Sequence, residues 1–144
     1  MVKIYIASDH AGFEAKEKVK QIIEKIGEYE IVDFGPRDTS KVDYPYYAKL
    51  VAKSVSRNAG TYGILICGSG TGMAIAANKV GGIRAAFAYD AYSAKMARFD
   101  NDANVLTLRA REFDHNKYEE IVKTFLETKF SNYDRHKNRI AKIE

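Results

Sequence analysis

Tyr62-Gly63-Ile64-Leu65-Ile66-Cys67-Gly68-Ser69-Gly70-Thr71-Gly72 is the stretch whose reading settles the class of fold. Residues 64–66 form a short, apolar run that ends in a glycine-rich turn, and Met73-Ala74-Ile75-Ala76-Ala77-Asn78-Lys79 follows with helical character. A strand that hands the chain through such a turn into a helix is half of a βαβ unit. The turn also sets the lone cysteine, Cys67, at a strand's carboxyl end beneath a helix start. Unpaired N–H groups and a partial positive charge at a helix start hold anions and favour a thiolate over a thiol. One short segment therefore offers a base beside an anion hole.

Outward from this segment, apolar β-rich runs alternate with longer segments of helical periodicity. Strands are predicted at 3–7, 30–34, 62–67, 84–88 and 104–108. Helices are predicted at 13–26, from Pro45 to about Asn58, and at 74–80, 91–98 and 113–129. In 13–26 the apolar positions Ala15, Val19, Ile22, Ile23 and Ile26 share one face, Lys and Glu take the other, and Gly27 is the stop. Pro45 suits a first helical turn. The alternation implies α/β architecture, with a five-stranded parallel sheet between two helical layers. A last amphipathic segment, 133–143, carries Ile140 and Ile143 after the sheet is already covered, and it is expected to dock on a second copy of the chain.

A chain of 144 residues is expected to form one domain over 1–144. The opening apolar stretch is too short for a signal peptide, and no run approaches transmembrane length. A single cysteine cannot form an intrachain disulfide, so a reducing cytoplasm is the expected setting. Zinc-ligand spacing is absent. The net charge of +4 is concentrated in a tail holding Arg135, His136, Lys137, Arg139 and Lys142. Such an arm suits nucleic-acid phosphates, a membrane surface or one small phosphorylated metabolite. Zinc-finger, basic-zipper and RNA-binding-sheet signatures are all lacking, which argues against nucleic acid.

In open parallel sheets ligands bind beyond the carboxyl ends of the strands. There the first strand delivers Ser8, Asp9, His10 and Gly12; the third delivers Cys67 to Gly72; the fourth delivers Tyr89 and Asp90; and the fifth is followed by Arg109 and Arg111. Asp100, Asn101 and Asp102 precede the fifth strand and so start from its opposite end, unless they serve a neighbouring subunit. The glycine loop has neither the spacing nor the lysine of a P-loop and is not a dinucleotide fingerprint. Taken alone, Cys67 would be core, Asp9 a helix cap and the arginines solvated surface charges. Arg135 and Arg139, four apart, share a helix face, which suits one phosphate.

Ser8-Asp9-His10-Ala11-Gly12-Phe13, Asp43-Tyr44-Pro45, Cys67-Gly68-Ser69-Gly70-Thr71-Gly72, Ala76-Ala77-Asn78-Lys79, Asn101-Asp102-Ala103-Asn104-Val105-Leu106 and Arg135-His136-X-X-Arg139 stand in one order along the chain. Together they resemble the type B ribose-5-phosphate isomerases. The resemblance implies a Rossmann-like fold, no organic cofactor and no metal, a site shared by two subunits of a homodimer or dimer of dimers, and interconversion of D-ribose 5-phosphate and D-ribulose 5-phosphate. Related members act on allose 6-phosphate or galactose 6-phosphate. By motif position Cys67 is the proton-transferring base, and Ser69 touches substrate. Some relatives use a glutamate where this chain has Met73, which cannot take a proton. Arg111, Arg135 and Arg139 would grip the phosphate with His136 assisting, while Asp9, His10, Tyr44 and Asn101 would meet the sugar.

The chemistry needs these residue types. A base removes the C2 proton of the aldose, leaving a cis-enediolate, and returns it to C1. Amides of Gly68, Ser69, Gly70, Thr71 and Gly72 could stabilise the developing oxyanion. Arginine grips phosphate through paired charge-assisted bonds and so orients C1 and C2 from a distance. One departure matters: many relatives carry a ring-opening histidine where this chain has Asp100. An exposed carboxyl is mostly ionised near neutral pH, so His10 is the expected stand-in, with Asp100 the other candidate. Two readings of other kinds compete: a non-catalytic sugar-phosphate or nucleotide binding module, and a basic nucleic-acid-associated dimer.

Overall fold

Strands buried on both faces alternate their side chains between two separate cores. The computed structural model describes residues 1–144. In β1 (Val2–Ser8) Ile4 and Ile6 enter one apolar cluster, while Tyr5 and Ala7 enter another. In β3 (Tyr62–Cys67) Ile64 and Ile66 join the first cluster, and Leu65 and Cys67 join the second. This is period-two geometry with both faces dry, which is why the runs read as continuous apolar sequence.

The remaining strands are β2 (Tyr29–Asp33), β4 (Ala85–Phe87) and β5 (Val105–Arg109). All pairings are parallel, in the order β2-β1-β3-β5-β4. The chain turns one way from β1 and the other way from β3, so the crevice at their carboxyl ends is the topological switch point. Helices α1 (Phe13–Ile26), α4 (Ala91–Asn101) and α5 (Tyr118–Glu127) cover the first cluster. Helices α2 (Tyr44–Arg57) and α3 (Thr71–Asn78) cover the second. This is the expected three-layer α/β/α sandwich. Helix α6 (Asp134–Ile143) lies outside it.

Several boundaries differ from expectation for local reasons. Helix α1 runs as predicted and stops at Gly27, whose φ is 75°. Helix α3 begins three residues earlier than the alanines suggest, because left-handed Gly70 (φ 78°) turns the chain directly into it. Strand β4 loses both predicted ends. At its start the Arg84 N–H is drawn to the Asn104 side chain at 2.8 Å, and Asn104 itself stays outside β5. The predicted helix from Phe113 is broken: Asp114 caps a 3₁₀ turn (His115–Lys117) through the Asn116 N–H, and α5 starts only at Tyr118. Helix α4 runs past Arg98 to Asn101 before left-handed Asp102 ends it, so Asp100 and Asn101 are helical rather than loop residues. Helix α6 touches its own chain through buried His136, against Phe99 and Tyr133. Its Ile143 remains exposed.

Candidate active site

Cys67 ends β3 in the middle of the sheet, with β1 on one side and β5 on the other. Its Sγ accepts the Gly70 N–H at 3.2 Å. The Thr71 N–H turns to the Ser69 hydroxyl at 3.3 Å. The amides of Gly68, Ser69 and Gly72 meet no acceptor within the chain. The loop thus places one N–H on the sulfur and keeps three more for an external oxyanion. Ser69 and Thr71 are exposed, whereas Cys67 is 4% exposed.

Three glycines let other groups close on this loop. A Cβ at Gly68 would stand 3.0 Å from Nη1 of Arg111, and one at Gly72 would stand 2.7 Å from Cζ of Tyr44. Arg111 and Tyr44 therefore lie directly against the turn. At Gly70 a Cβ would meet the Phe87 ring at 2.7 Å, on a backbone that already disfavours any side chain. Met73 is fully buried and belongs to the core.

The end of β1 forms the neighbouring wall, hydrogen bonded to β3 through the Asp9 N–H and Ile66 carbonyl at 3.1 Å. The Asp9 carboxylate accepts the Gly12 N–H at 2.9 Å and so shapes the turn before α1. Nδ1 of His10 lies 3.3 Å from both N and O of Val42, tying the ring to the segment that leads into α2. A cleft of about 720 Å³ opens beside this segment, lined in part by Lys16, Lys20, Asp33, Arg37 and Tyr47. Asp33 is already matched by two lysines: Lys16, 1% exposed, donates to both its oxygens at 2.8 and 2.7 Å and to the Pro36 carbonyl at 3.0 Å, and Lys20 donates to it at 2.9 Å. Burial works to raise the Asp33 pKa, but hydrogen bonds from Lys16 and Lys20 outweigh it and hold the carboxyl below its usual value.

The other predicted residues stand elsewhere. Helix α4 starts beyond the carboxyl end of β4 and ends where β5 begins, so Asp100 and Asn101 lie at the amino edge of the sheet. Arg135 and Arg139 are on α6, which is fixed to that same edge: Nε2 of His136 lies 3.5 Å from Oδ1 of Asp100, and its Nδ1 lies 2.6 Å from the Ser131 hydroxyl. His136, expected to assist a phosphate, is 7% exposed with both ring nitrogens beside internal partners. One chain therefore carries the predicted residues as two separate groups at opposite edges of its sheet. One group holds Asp9, His10, Tyr44, Cys67 to Gly72 and Arg111; the other holds Asp100, Asn101, Arg135, His136 and Arg139. No three His, Cys, Asp or Glu side chains converge to hold a metal ion.

Sequence reasoning left Tyr89, Asp90 and Tyr92 without a role. Asp90 proves to be the cap of α4, in a reciprocal capping box with Ser93, and the Ser93 N–H lowers its carboxyl pKa. Residues behind Arg111, namely His115 and Tyr118, were also missed. They follow Arg111 closely in the chain, and the 3₁₀ turn at His115–Lys117 folds them back beside it.

The chain belongs to the ribose/galactose isomerase family, whose model matches residues 4–143. It is thus an isomerase, and several of the proteins it is similar to are type B ribose-5-phosphate isomerases. It is 48% identical to a type B ribose 5-phosphate isomerase from Trypanosoma brucei, whose structure it matches with a TM-score of 0.96 over 99% of this chain and 97% of that one. Ribose-5-phosphate isomerase B from Mycoplasma genitalium, solved with bound ribulose-5-phosphate, is 40% identical, with a TM-score of 0.93 over 99% of this chain and 93% of its own. A probable ribose-5-phosphate isomerase B from Mycoplasma pneumoniae is 43% identical, covering 97% of this chain and 91% of the relative. No helix is long and apolar enough to cross a membrane.

Proposed function

We propose that the chain interconverts D-ribose 5-phosphate and D-ribulose 5-phosphate with Cys67 as the base, in a site completed by a second copy. The carrying observation is the Cys67 loop, where one amide donates to the sulfur, three more have no internal acceptor and Arg111 lies against Gly68. The Cys67 thiolate takes the C2 proton of the open-chain aldose. The electron pair forms the enediolate double bond, and charge collects on oxygen against the loop amides. The O2–H proton moves to O1, and Cys67 returns its proton to C1. Ser69 orients the reacting oxygens from the exposed rim of the loop.

Phosphate is held by Arg111 of one copy and by Arg135 and Arg139 of the other. This arrangement is supported by the separation of these two groups of residues within a single chain. His10, steered by Val42, opens the furanose ring, because Oδ1 of Asp100 already faces Nε2 of His136 at 3.5 Å. A reducing cytoplasm suits the free thiol.

Ribose 5-phosphate incubated with wild type and with Cys67→Ala, without added metal, tests this reading. Ribulose 5-phosphate formation by wild type and a loss of at least about a thousandfold in the variant are expected. An equally active variant would leave the base unassigned, and phosphate-sugar binding without turnover by wild type would favour a binding module. A panel that adds allose 6-phosphate and galactose 6-phosphate decides sugar length.

A further inference from the structure

We infer that His115 and Tyr118 are positioning residues for Arg111, locking the segment that presents the phosphate handle onto the backbone that presents the base. The inference rests on the proposed role of Arg111. It starts from an unusual completeness of bonding. Each carbonyl from Arg109 to Arg111 receives a side-chain donor: Tyr118 Oη reaches the Arg109 oxygen at 2.6 Å, His115 Nε2 the Ala110 oxygen at 2.7 Å, and Arg109 Nε the Arg111 oxygen at 2.7 Å. Two amides of the same segment face the other way. Ala110 N–H donates to the Cys67 carbonyl and Arg111 N–H to the Gly68 carbonyl, both at 3.0 Å.

The donors behind the segment are themselves fixed. Tyr118 is fully buried, so its ring cannot swing and its hydroxyl stays a donor. The ammonium of Lys18, a donor only, stands 2.9 Å from Nδ1 of His115, which makes that nitrogen the acceptor and puts the ring proton on Nε2. The His115 ring stacks on Tyr118 with centroids 4.7 Å apart. A strand end followed by a loop would ordinarily pivot, and an Arg111 stem that moved freely would have to be immobilised each time it gripped a phosphate, at a cost in affinity. Here the pivot is clamped from both sides.

Kinetics of Tyr118→Phe, His115→Ala, His115→Gln and Arg111→Ala test the inference, read as KM, kcat and the inhibition constant of inorganic phosphate. Tyr118→Phe keeps the buried ring and removes one oxygen, so it reports the bond in a folded enzyme. Tyr118→Phe and His115→Ala are expected to raise KM and the phosphate inhibition constant about tenfold while kcat falls by less than about threefold. His115→Gln, with an amide able to donate to the Ala110 carbonyl, is expected to recover most of that loss. If Arg111→Ala weakens phosphate but Tyr118→Phe and His115→Ala leave it within about twofold, or lower kcat alone, the positioning role is overturned and the handle stands. If Arg111→Ala leaves phosphate inhibition unchanged, the handle itself is wrong and the inference falls with it.

Discussion

The Gly70 N–H on Cys67 Sγ, at 3.2 Å, explains why this turn is built from glycine. The amide can reach the sulfur only because the chain reverses through a left-handed residue, and the same residue must pass the Phe87 ring without a Cβ. Gly70→Ala is therefore expected to destabilise the fold by about 1–3 kcal/mol and to lower kcat further through a displaced amide. Urea titration alongside steady-state kinetics checks both, and a variant of unchanged stability and rate would show that the turn tolerates a side chain. Asp9 illustrates the opposite case: its carboxylate already serves the Gly12 N–H, so its contribution at the site begins with holding the turn before α1.

Among the elements, β2 and α1 are joined by charge as well as by packing. Lys16 is almost wholly buried, and Asp33 is its main counter-charge, so Asp33→Asn would strand an ammonium. A loss of about 3 kcal/mol is expected. The sign of its pH dependence follows from the depressed Asp33 pKa. The contribution is full above the ordinary carboxylate value of about 4 and is lost as pH falls through the lower, folded-state value. Lys20 behaves conversely: its bond to Asp33 raises its pKa, so its contribution holds below 10.5 and fades as pH rises through the folded-state value. Denaturation curves at neutral and acidic pH should show a shallower acid loss for Asp33→Asn than for wild type. A parallel acid limb in both proteins would place the acid sensitivity in another group.

Across the molecule, Cys67 and Arg135 belong to opposite edges of one sheet, so the cooperation proposed for them requires two copies. Cys67→Ala and the Arg135→Ala/Arg139→Ala double variant should each be nearly inactive. Mixed under subunit exchange, they should regain about a quarter of wild-type activity. Half of randomly paired dimers are then mixed, and one of the two sites in each is intact. No recovery in a mixture proven to exchange would mean that each site is complete within one chain. Exposed Ile75, Tyr89, Tyr92 and Ile143 provide apolar surface outside the sandwich for such an assembly.

Local sequence decided the elements and the chemistry of the loop. Helix α1 was legible to the residue because one amphipathic stripe and one terminal glycine suffice, and Cys67 with its glycines was legible because strand, turn and helix are contiguous. Side-chain competition for backbone groups was not: Asp114 breaking the helix before α5, Asn104 trimming the neighbouring strands and Asp90 capping α4 all depend on which donor wins in three dimensions. Nor could spacing show that Asp100, Asn101, Arg135 and Arg139 stand at the opposite edge of the sheet from Cys67. Such relations join residues far apart in the chain, and only parallel pairing, with its fixed direction and register, assigns them to one edge or the other.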